Sequence, residues 1–341
     1  MNWKVIERYP EPPLEQSWLR CLSECDYPSH YAGPAYFREP FFSDRRPFAV
    51  LAIDADRVMG ALTGVREGRT LTAGLNVRPQ GCCRLGADRV KVGAALAGGL
   101  REAGGRDMDL LQVFTWSPIE GLEDSGFASK EFPGEQGIVV LDLTQGPDRL
   151  FRGFSENRRT NIRKAQKLGV TVDQASSEEE FKEYYGIYVD WGNRKRVPCN
   201  SWAQVLAALL LRDHRRLFVA RFEGRMLGGV IVRFQSGGFI EYAANCSIQE
   251  EQKFKPNDLL HWRIIEWACR EGFRQYSLGG AHLFLRKFGG DLHTTYRYRR
   301  DLTWLRRHDV GDRLRALLRE GLRRLPPSIQ ERLRLALGRT A

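Results

Sequence analysis

The sequence predicts an α/β (α+β) fold of two tandem halves, each a mixed, largely antiparallel sheet flanked by helices, followed by a basic amphipathic helical tail. The chain has 341 residues with 42% hydrophobic content, enough for two cores of ordinary size. A three-stranded meander, a long helix and a further strand occur in that order twice. The predicted boundaries are an aromatic and Pro-rich lead-in at 1–45, a first half at 46–146, a second half at 147–305 and the tail at 306–341.

The first half is predicted from short strand-like runs separated by turn signals, followed by a helical stretch. The lead-in before it is rich in Pro, Tyr and Phe, and we expect an irregular segment that packs on the body through aromatic side chains. The turn signals between the runs are typical of an antiparallel meander. The predicted elements are strands at 47–54, 57–65 and 69–77, a helix at 86–105, and strands at 110–116 and 137–143.

The second half repeats this order after three helices and a strand. Ser177 and Glu180 have the spacing of a capping box, so a helix is expected to begin there and to run to about Arg194. Gly272 is expected to end the long helix. The predicted elements are helices at 155–168, 177–194, 201–214 and 258–271, and strands at 170–175, 216–224, 225–234, 237–245 and 273–279.

Charge and cysteine content limit the classes of function. Lys and Arg outnumber Asp and Glu by 53 to 42, and the net charge of +11 favours anionic partners such as RNA, phosphorylated substrates or a membrane surface. The seven cysteines are scattered without a CxxC pair, so we expect reduced thiols and no metal site. The sequence has neither a signal-peptide pattern nor a membrane-spanning apolar run. We therefore expect a cytoplasmic protein, with peripheral contact at the inner membrane surface left open.

Two segments carry a resemblance to a known family. Residues 151–172, FRGFSENRRTNIRKAQKLGVTV, and residues 256–298 are similar to segments of the Fem-like aminoacyltransferases and of related GNAT-superfamily acyltransferases with a BioF2-like acetyltransferase domain. The resemblance implies two tandem GNAT-like halves. It also implies an N-acyltransferase that moves an aminoacyl group from aminoacyl-tRNA, or an acyl group from acyl-CoA, to an amine of a cell-envelope precursor such as peptidoglycan or polysaccharide. Where Fem-like proteins commonly show a Phe-Lys pair before a Phe-Gly pair, this chain has Phe284-Leu285.

The first of these segments predicts a basic helix that faces a polyanion. Arg159, Arg163 and Lys167 lie at i, i+4 and i+8 and share one ridge. The opposite stripe is expected to be buried and consists of Ile162, Ala165 and Leu168. We assign the ridge to substrate or tRNA binding, and the alternative is a solvated helix face.

The second segment supplies most of the candidate site. Gly279 and Gly280 allow close approach of a ligand to the backbone, although ordinary turns are the alternative. Acyl transfer to an amine needs a group that takes up the amine proton. The predicted catalytic residues are Glu241, His282 and Lys287, the further substrate-binding residues are Tyr242, Asn257 and Arg286, and Asp258 and His261 are weaker candidates for the base.

A coenzyme A site is suggested by a partial motif. GNAT enzymes hold the pyrophosphate on a loop resembling R/Q-x-x-G-x-G/A that opens a helix. Residues 78–83 match at Arg78 and Gly81 and lack the last small residue. We assign these two residues to cofactor binding, with an ordinary glycine turn as the alternative. No permanently bound cofactor is expected, because the donor is a substrate.

The tail predicts an amphipathic helix that contacts an anionic membrane through residues 309–339. The alternative is that it packs on the body with its arginines outward. Pro326-Pro327 is expected to divide the tail into two helices. The apolar stripe consists of Leu314, Leu317, Leu318, Leu322 and Leu325. The arginines that flank this stripe are Arg313, Arg319, Arg323 and Arg324.

A different class of function remains open. A non-catalytic RNA- or membrane-surface-binding protein that retains the same fold would bind with strong salt dependence and show no turnover. The acyl group, the acceptor, the base and the oligomeric state are not determined by the sequence.

Overall fold

The computed structural model describes residues 1–43, 45–75, 78–235 and 238–324. Its helices are α1 (Pro12–Ser23), α2 (Arg89–Gly104), α3 (Pro147–Gly153), α4 (Glu156–Lys167), α5 (Glu178–Lys195), α6 (Trp202–Leu210), α7 (Pro256–Arg270), α8 (Leu283–Arg286) and α9 (Arg307–Arg324). Its strands are β1 (Asn2–Ile6), β2 (Arg46–Asp54), β3 (Arg57–Glu67), β4 (Thr70–Ala73), β5 (Cys82–Cys83), β6 (Leu110–Thr115), β7 (Ala128–Phe132), β8 (Ile138–Asp142), β9 (Thr171–Ala175), β10 (Arg215–Phe222), β11 (Arg225–Phe234), β12 (Phe239–Ser247), β13 (Gln275–Ser277), β14 (Asp291–His293) and β15 (Thr295–Asp301).

The strands form two sheets that repeat one plan. The first sheet has the order β1-β2-β3-β4-β6-β15-β7, with β5 beside β3, and the second has the order β14-β8-β13-β12-β11-β10-β9. In the first, β2 to β4 form an antiparallel meander, and the chain returns through α2 to β6, which pairs parallel with β4. In the second, β10 to β12 form the meander, and α7 leads to β13, parallel with β12. The predicted pair of halves is confirmed.

The two sheets exchange strands. Strand β8 lies in the predicted first half but pairs with β13 and β14 in the second sheet. Strand β15 lies in the predicted second half but pairs with β6 and β7 in the first sheet. The sheets therefore do not divide at residue 146. Pairing partners decide which sheet a strand joins, and these partners are distant in sequence.

The lead-in is more regular than expected. Strand β1 pairs with β2 at the edge of the first sheet, and α1 begins at a proline. Proline is favoured at this first helical position because its missing N–H has no partner to lose there. Trp18 on α1 is fully buried and donates from Nε1 to the carbonyl of Ala32, 2.9 Å away. The prediction of an irregular segment is wrong for these two elements.

Helices α4, α5 and α7 match their predicted ranges to within two residues, whereas α6 ends at Leu210, before the predicted end at 214, because Leu211 is not helical. Ser177 and Glu180 form the predicted capping box at the start of α5. On α7, the face with Leu260, Ile264 and Ala268 is buried in the core under the second sheet. None of the helices in the described part of the chain has the length and apolar character needed to cross a lipid bilayer. The seven cysteines are free thiols.

Candidate active site

A cavity of about 690 Å³ lies between the two sheets. The first half lines it with strands β3, β4 and β6 and with the segment at 31–45, and the second half lines it with α5, α6, β11 and β12. Clefts between domains are the usual place for substrate sites. Four arginines contribute to its wall, namely Arg45, Arg78, Arg215 and Arg233.

Arg233, near the end of β11, lines the cavity and is 1% exposed. Its Nε donates to Oε2 of Glu241, 3.2 Å away, and its Cζ lies 3.7 Å from the centre of the Tyr31 ring. Its buried Nη2 has no hydrogen-bond partner among the described residues. Glu241 raises the pKa of Arg233 against the effect of burial, so the guanidinium remains charged. An acceptor from a substrate would satisfy the free nitrogen.

Glu39 joins the lead-in to the second half through a buried ion pair with Arg215. It also accepts hydrogen bonds from His30 Nε2 at 2.7 Å and from the Tyr31 hydroxyl at 3.3 Å. Burial alone would raise the pKa of this carboxyl, but Arg215 and the hydrogen bond from His30 hold it at about 2. Burial lowers the pKa of His30 to about 4, so the imidazole is neutral at neutral pH.

Arg78 reaches across the cleft from the first half to the second. Its Nη2 donates to the backbone carbonyl of Ala243 on β12, 2.6 Å away. Arg78 forms no ion pair with a described carboxylate, because Glu39 pairs with Arg215 and Glu241 with Arg233. Burial lowers the pKa of Arg78, and the nearby positive charge of Arg233 lowers it further. The residue is thus a cation without a carboxylate partner in the wall of a cavity.

The partial coenzyme A motif does not form a phosphate loop at a helix start. Helix α2 begins at Arg89, beyond the motif, and the side chain of Asp88 caps it by accepting from the Lys91 amide. A side chain at Gly81 would meet Leu62 at 2.7 Å, so packing accounts for this glycine. Of the two assigned residues, Arg78 faces the cavity and Gly81 lies against the core.

The edge of β12 opens beside the cavity. Strand β13 pairs with β12 only over Phe239 to Glu241, because Leu278 and Gly280 bond to Val139 instead. A register shift between β11 and β12 leaves a bulge at Ala243, which lines the cavity together with Ala244. Bulges re-aim strands next to active sites. Beyond Glu241, the backbone groups of β12 thus have no strand partner on the β13 side among the described residues.

Glu241 is the last residue of β12 that pairs with β13, and it is 3% exposed. Its Oε2 accepts from Ser29 Oγ at 2.8 Å as well as from Arg233. The structure therefore gives Glu241 a role in orienting Arg233 in the cavity wall. Its assignment as a base stays a prediction.

Several predicted residues meet at the fork between β12 and β13. Gly279 has a φ of +72°, and a side chain there would meet Tyr242 at 3.2 Å, so glycine is required for this approach. The His261 ring lies 5.4 Å from that of Tyr242, and burial lowers the pKa of His261 to about 3. His261 is therefore a neutral core histidine. Partial burial of the ring lowers the pKa of His282, whose side chain is exposed two residues after Gly280.

Asn257, Arg286 and Lys287 lie apart from this group. Asn257, in the first turn of α7, donates to Ser247 Oγ at 3.2 Å, and its buried Oδ1 has no partner among the described atoms. Arg286 pairs with Glu135 at the surface. Lys287 is exposed, and its carbonyl accepts from the Ser155 amide at 3.0 Å.

The three residues of the basic ridge on α4 have different environments in the structure. Arg159 donates from Nη1 to the carbonyls of Arg152, at 2.8 Å, and of Phe154, so it holds the end of α3. Arg163 and Lys167 are exposed. The predicted buried stripe is correct for Ile162 and Ala165, whereas Leu168 is 40% exposed because it lies at the C-terminal cap.

Sequence reasoning missed a buried arginine on the same helix. Arg158 pairs with Asp258 of α7 and donates to the Phe284 carbonyl at 2.7 Å. Its guanidinium lies 4.0 Å and 4.2 Å from the ring centres of Phe284 and Phe288. Asp258, a weaker candidate for the base, is thereby held in an ion pair. Sequence reasoning also missed Glu39, Arg215 and Arg233, although a charge inside an otherwise apolar strand such as β11 is a usable signal.

Comparison with known proteins agrees with this architecture. Residues 152–300 match the family described as an acetyltransferase (GNAT) domain. No curated protein matches the chain. FemX has a similar structure, with a TM-score of 0.67 and 13% identity over 88% of this chain and 97% of FemX.

Two further solved structures share the fold. The C-terminal domain of a putative lysylphosphatidylglycerol synthetase from Agrobacterium fabrum has a TM-score of 0.60 and 11% identity, over 84% of this chain and 91% of that one. A tandem GNAT protein from the clavulanic acid biosynthesis pathway has a TM-score of 0.55 and 15% identity, over 89% and 99%. Residues 152–300 therefore resemble a GNAT acetyltransferase domain, and the described part of the chain shares the tandem GNAT fold of FemX and of the tandem GNAT protein.

Proposed function

We propose that this chain is an N-acyltransferase that holds an anionic acceptor in the cavity between its halves and transfers an acyl group to an amine of that acceptor. One observation carries the proposal: a cavity of about 690 Å³ with arginines from both halves lies directly beside the open edge of β12. The acceptor class that we favour is a cell-envelope precursor of the peptidoglycan or polysaccharide type.

The charge of the cavity supports an anionic substrate. Glu39 neutralises Arg215, and Glu241 neutralises Arg233. Arg78 keeps only a backbone carbonyl as its described partner. Because Arg78 is only partly buried and has no carboxylate within ion-pair distance among the described residues, a phosphate or carboxylate of the substrate could reach it and form a charge-assisted hydrogen bond.

The open strand edge supports acyl transfer. When an amine attacks an acyl carbonyl, negative charge develops on the carbonyl oxygen, and fixed N–H donors stabilise it. Backbone donors on the β12 edge near Ala243 are of this kind, because no strand occupies the β13 side there. Direct attack needs no covalent nucleophile. His282, exposed beside the fork, is our candidate for taking up the amine proton.

For the donor we favour aminoacyl-tRNA over acyl-CoA. A pyrophosphate binds well at a helix N-terminus because the N–H groups and the dipole attract negative charge. Here the two helices that follow the meanders both start with carboxylates, Asp88 before α2 and Asp258 in the first turn of α7. Exposed Arg163 and Lys167 supply positive charge for a tRNA instead.

A binding and transfer experiment tests the proposal. The purified full chain is titrated with coenzyme A, acetyl-CoA, aminoacylated tRNA and deacylated tRNA at two salt concentrations, and transfer of a labelled aminoacyl or acetyl group to a nucleotide-linked peptidoglycan precursor is then measured. Preference for charged tRNA together with transfer supports the proposal in full. Saturable binding of acetyl-CoA with transfer changes the donor and keeps the acyltransferase. Salt-sensitive binding of RNA or lipid without any transfer supports the non-catalytic alternative.

A further inference from the structure

Helix α9 contacts the body through Asp309 and Asp312, which form its acidic face. Arg299 of β15 is 6% exposed, and its guanidinium pairs with Asp309 at 3.3 Å and with Asp312. Arg297 reaches Asp312 at 3.4 Å. At the start of the helix, the Asp309 amide donates to Asp301 Oδ2 at 2.9 Å. These contacts fix which side of the helix faces the protein.

The apolar stripe of α9 consequently points away from the body. Val310, Leu314, Leu317 and Leu318 are 47%, 55%, 65% and 66% exposed. Their spacing of i, i+4, i+7 and i+8 places them on one side of the helix. Over residues 309–318 the helix therefore contacts the body through Asp309 and Asp312, while its leucines are exposed. The predicted break at Pro326-Pro327 lies outside the described residues. The same is true of Leu325 and of the side chain of Leu322.

The turn before the helix adds to this apolar surface. Trp304 is 85% exposed and Leu305 is 67% exposed. Leu305 and Arg306 have positive φ angles of 64° and 49°, a left-handed conformation that is uncommon for residues with side chains. A large aromatic side chain is seldom left in water without a partner surface.

The charges of residues 302–324 indicate which kind of partner covers the apolar stripe. Residues 302–324 carry seven arginines against three acidic residues. An RNA partner would use the arginines but would leave the leucines in water. A second copy of this chain would cover the leucines but would bring the same arginines face to face, which is unfavourable. An anionic bilayer satisfies both, because acyl chains cover the leucines and lipid phosphates pair with the arginines.

We propose that α9 and the preceding turn, residues 302–324, bind the surface of an anionic lipid bilayer, with the leucine stripe and Trp304 inserted and the acidic face turned toward the protein. This surface does not depend on the proposed transfer reaction. If both proposals hold, the helix brings the cavity close to acceptors that are themselves attached to lipid.

Vesicle co-sedimentation of the full chain tests this proposal. We expect binding to vesicles made of phosphatidylglycerol and phosphatidylcholine in equal parts, and none to pure phosphatidylcholine. Combined replacement of Leu314, Leu317 and Leu318 by Gln should reduce partitioning by about tenfold or more, because each leucine loses its burial in the bilayer. The matched control replaces Leu85, Leu168 and Leu210, which are 55%, 40% and 56% exposed elsewhere, and should bind as the wild type does.

Fluorescence and oligomeric state separate the remaining explanations. On anionic vesicles, Trp304 emission should shift to shorter wavelength, and the Trp304→Phe variant should lose that shift. Absence of vesicle binding, or binding that the leucine variant retains, overturns the proposal. It is also overturned if light scattering shows that the wild type is a dimer and the leucine variant a monomer. Transfer to a water-soluble acceptor should be unchanged in the leucine variant, so failure of the acyltransferase proposal would leave this test intact.

Discussion

Arg78 in the first half and Ala243 in the second are joined by a hydrogen bond of 2.6 Å from the guanidinium to the backbone carbonyl. The contact brings a cation from a loop after β4 to the bulge of β12, where the strand edge is open. It therefore connects the two features on which the proposed function depends, the charge of the cavity and the exposed backbone.

Replacement of Arg78 by Met should weaken the binding of the anionic substrate. The loss of a charge-assisted hydrogen bond of about 1.5–3 kcal/mol corresponds to a Kd about tenfold to a hundredfold higher. Stability should change little, since no described carboxylate is left unpaired. Isothermal titration and thermal unfolding measure the two effects. The control is Arg84→Met, because Arg84 follows β5 and its partner Glu24 lies outside the cavity. Unchanged affinity in Arg78→Met would remove this residue from the site.

Replacement of Arg233 by Met should destabilise the fold by about 3–5 kcal/mol, because Glu241 would remain buried without its partner. The double variant Arg233→Met with Glu241→Gln removes both charges and should recover most of that loss. Urea denaturation gives the free energies of unfolding for the cycle. If the double variant is as unstable as the single one, the pair is held by packing and not by its charges.

Stability should fall as the pH falls from about 6.5 to 4, because burial lowers the pKa of His30 to about 4 in the folded protein. In that range the unfolded chain binds a proton that the folded protein does not, which contributes a slope of about 1.4 kcal/mol per pH unit to the free energy of unfolding. His30→Gln keeps a donor for Glu39 and should remove this contribution. Denaturation across the pH range measures it, and an unchanged slope would contradict the assignment.

Reversal of charge at Arg163 and Lys167 should weaken tRNA binding without unfolding the protein. Both side chains are exposed, whereas Arg159 holds backbone carbonyls and is left in place. Removing two phosphate contacts should reduce the slope of log K against log salt by about 1.4 to 1.8. The pair Arg101→Glu and Lys182→Glu, exposed on other helices, is the control. An equal loss of affinity in both pairs would mean that net charge, and no particular surface, attracts the tRNA.

The sequence by itself determined most local structure. Hydrophobic periodicity gave the meanders and the long helices, and the Ser177 and Glu180 capping box occurs where its spacing indicated. These features are decided by residues within a few positions of one another. The segments at 151–172 and 256–298 were sufficient to indicate the fold family.

Tertiary structure decided how distant segments combine. Strand β8 of the first half joins the second sheet, and β15 of the second half joins the first sheet, because their pairing partners lie far away in the chain. The cavity unites Glu39, Arg78, Arg215 and Arg233 from three separate regions, and no local pattern relates them. The acidic face of α9 turns inward because Arg299 of β15 is buried beside it and needs a counter-charge. Periodicity identified the leucine stripe. The ion pairs of Arg299 with Asp309 and Asp312 decided that this stripe faces away from the body.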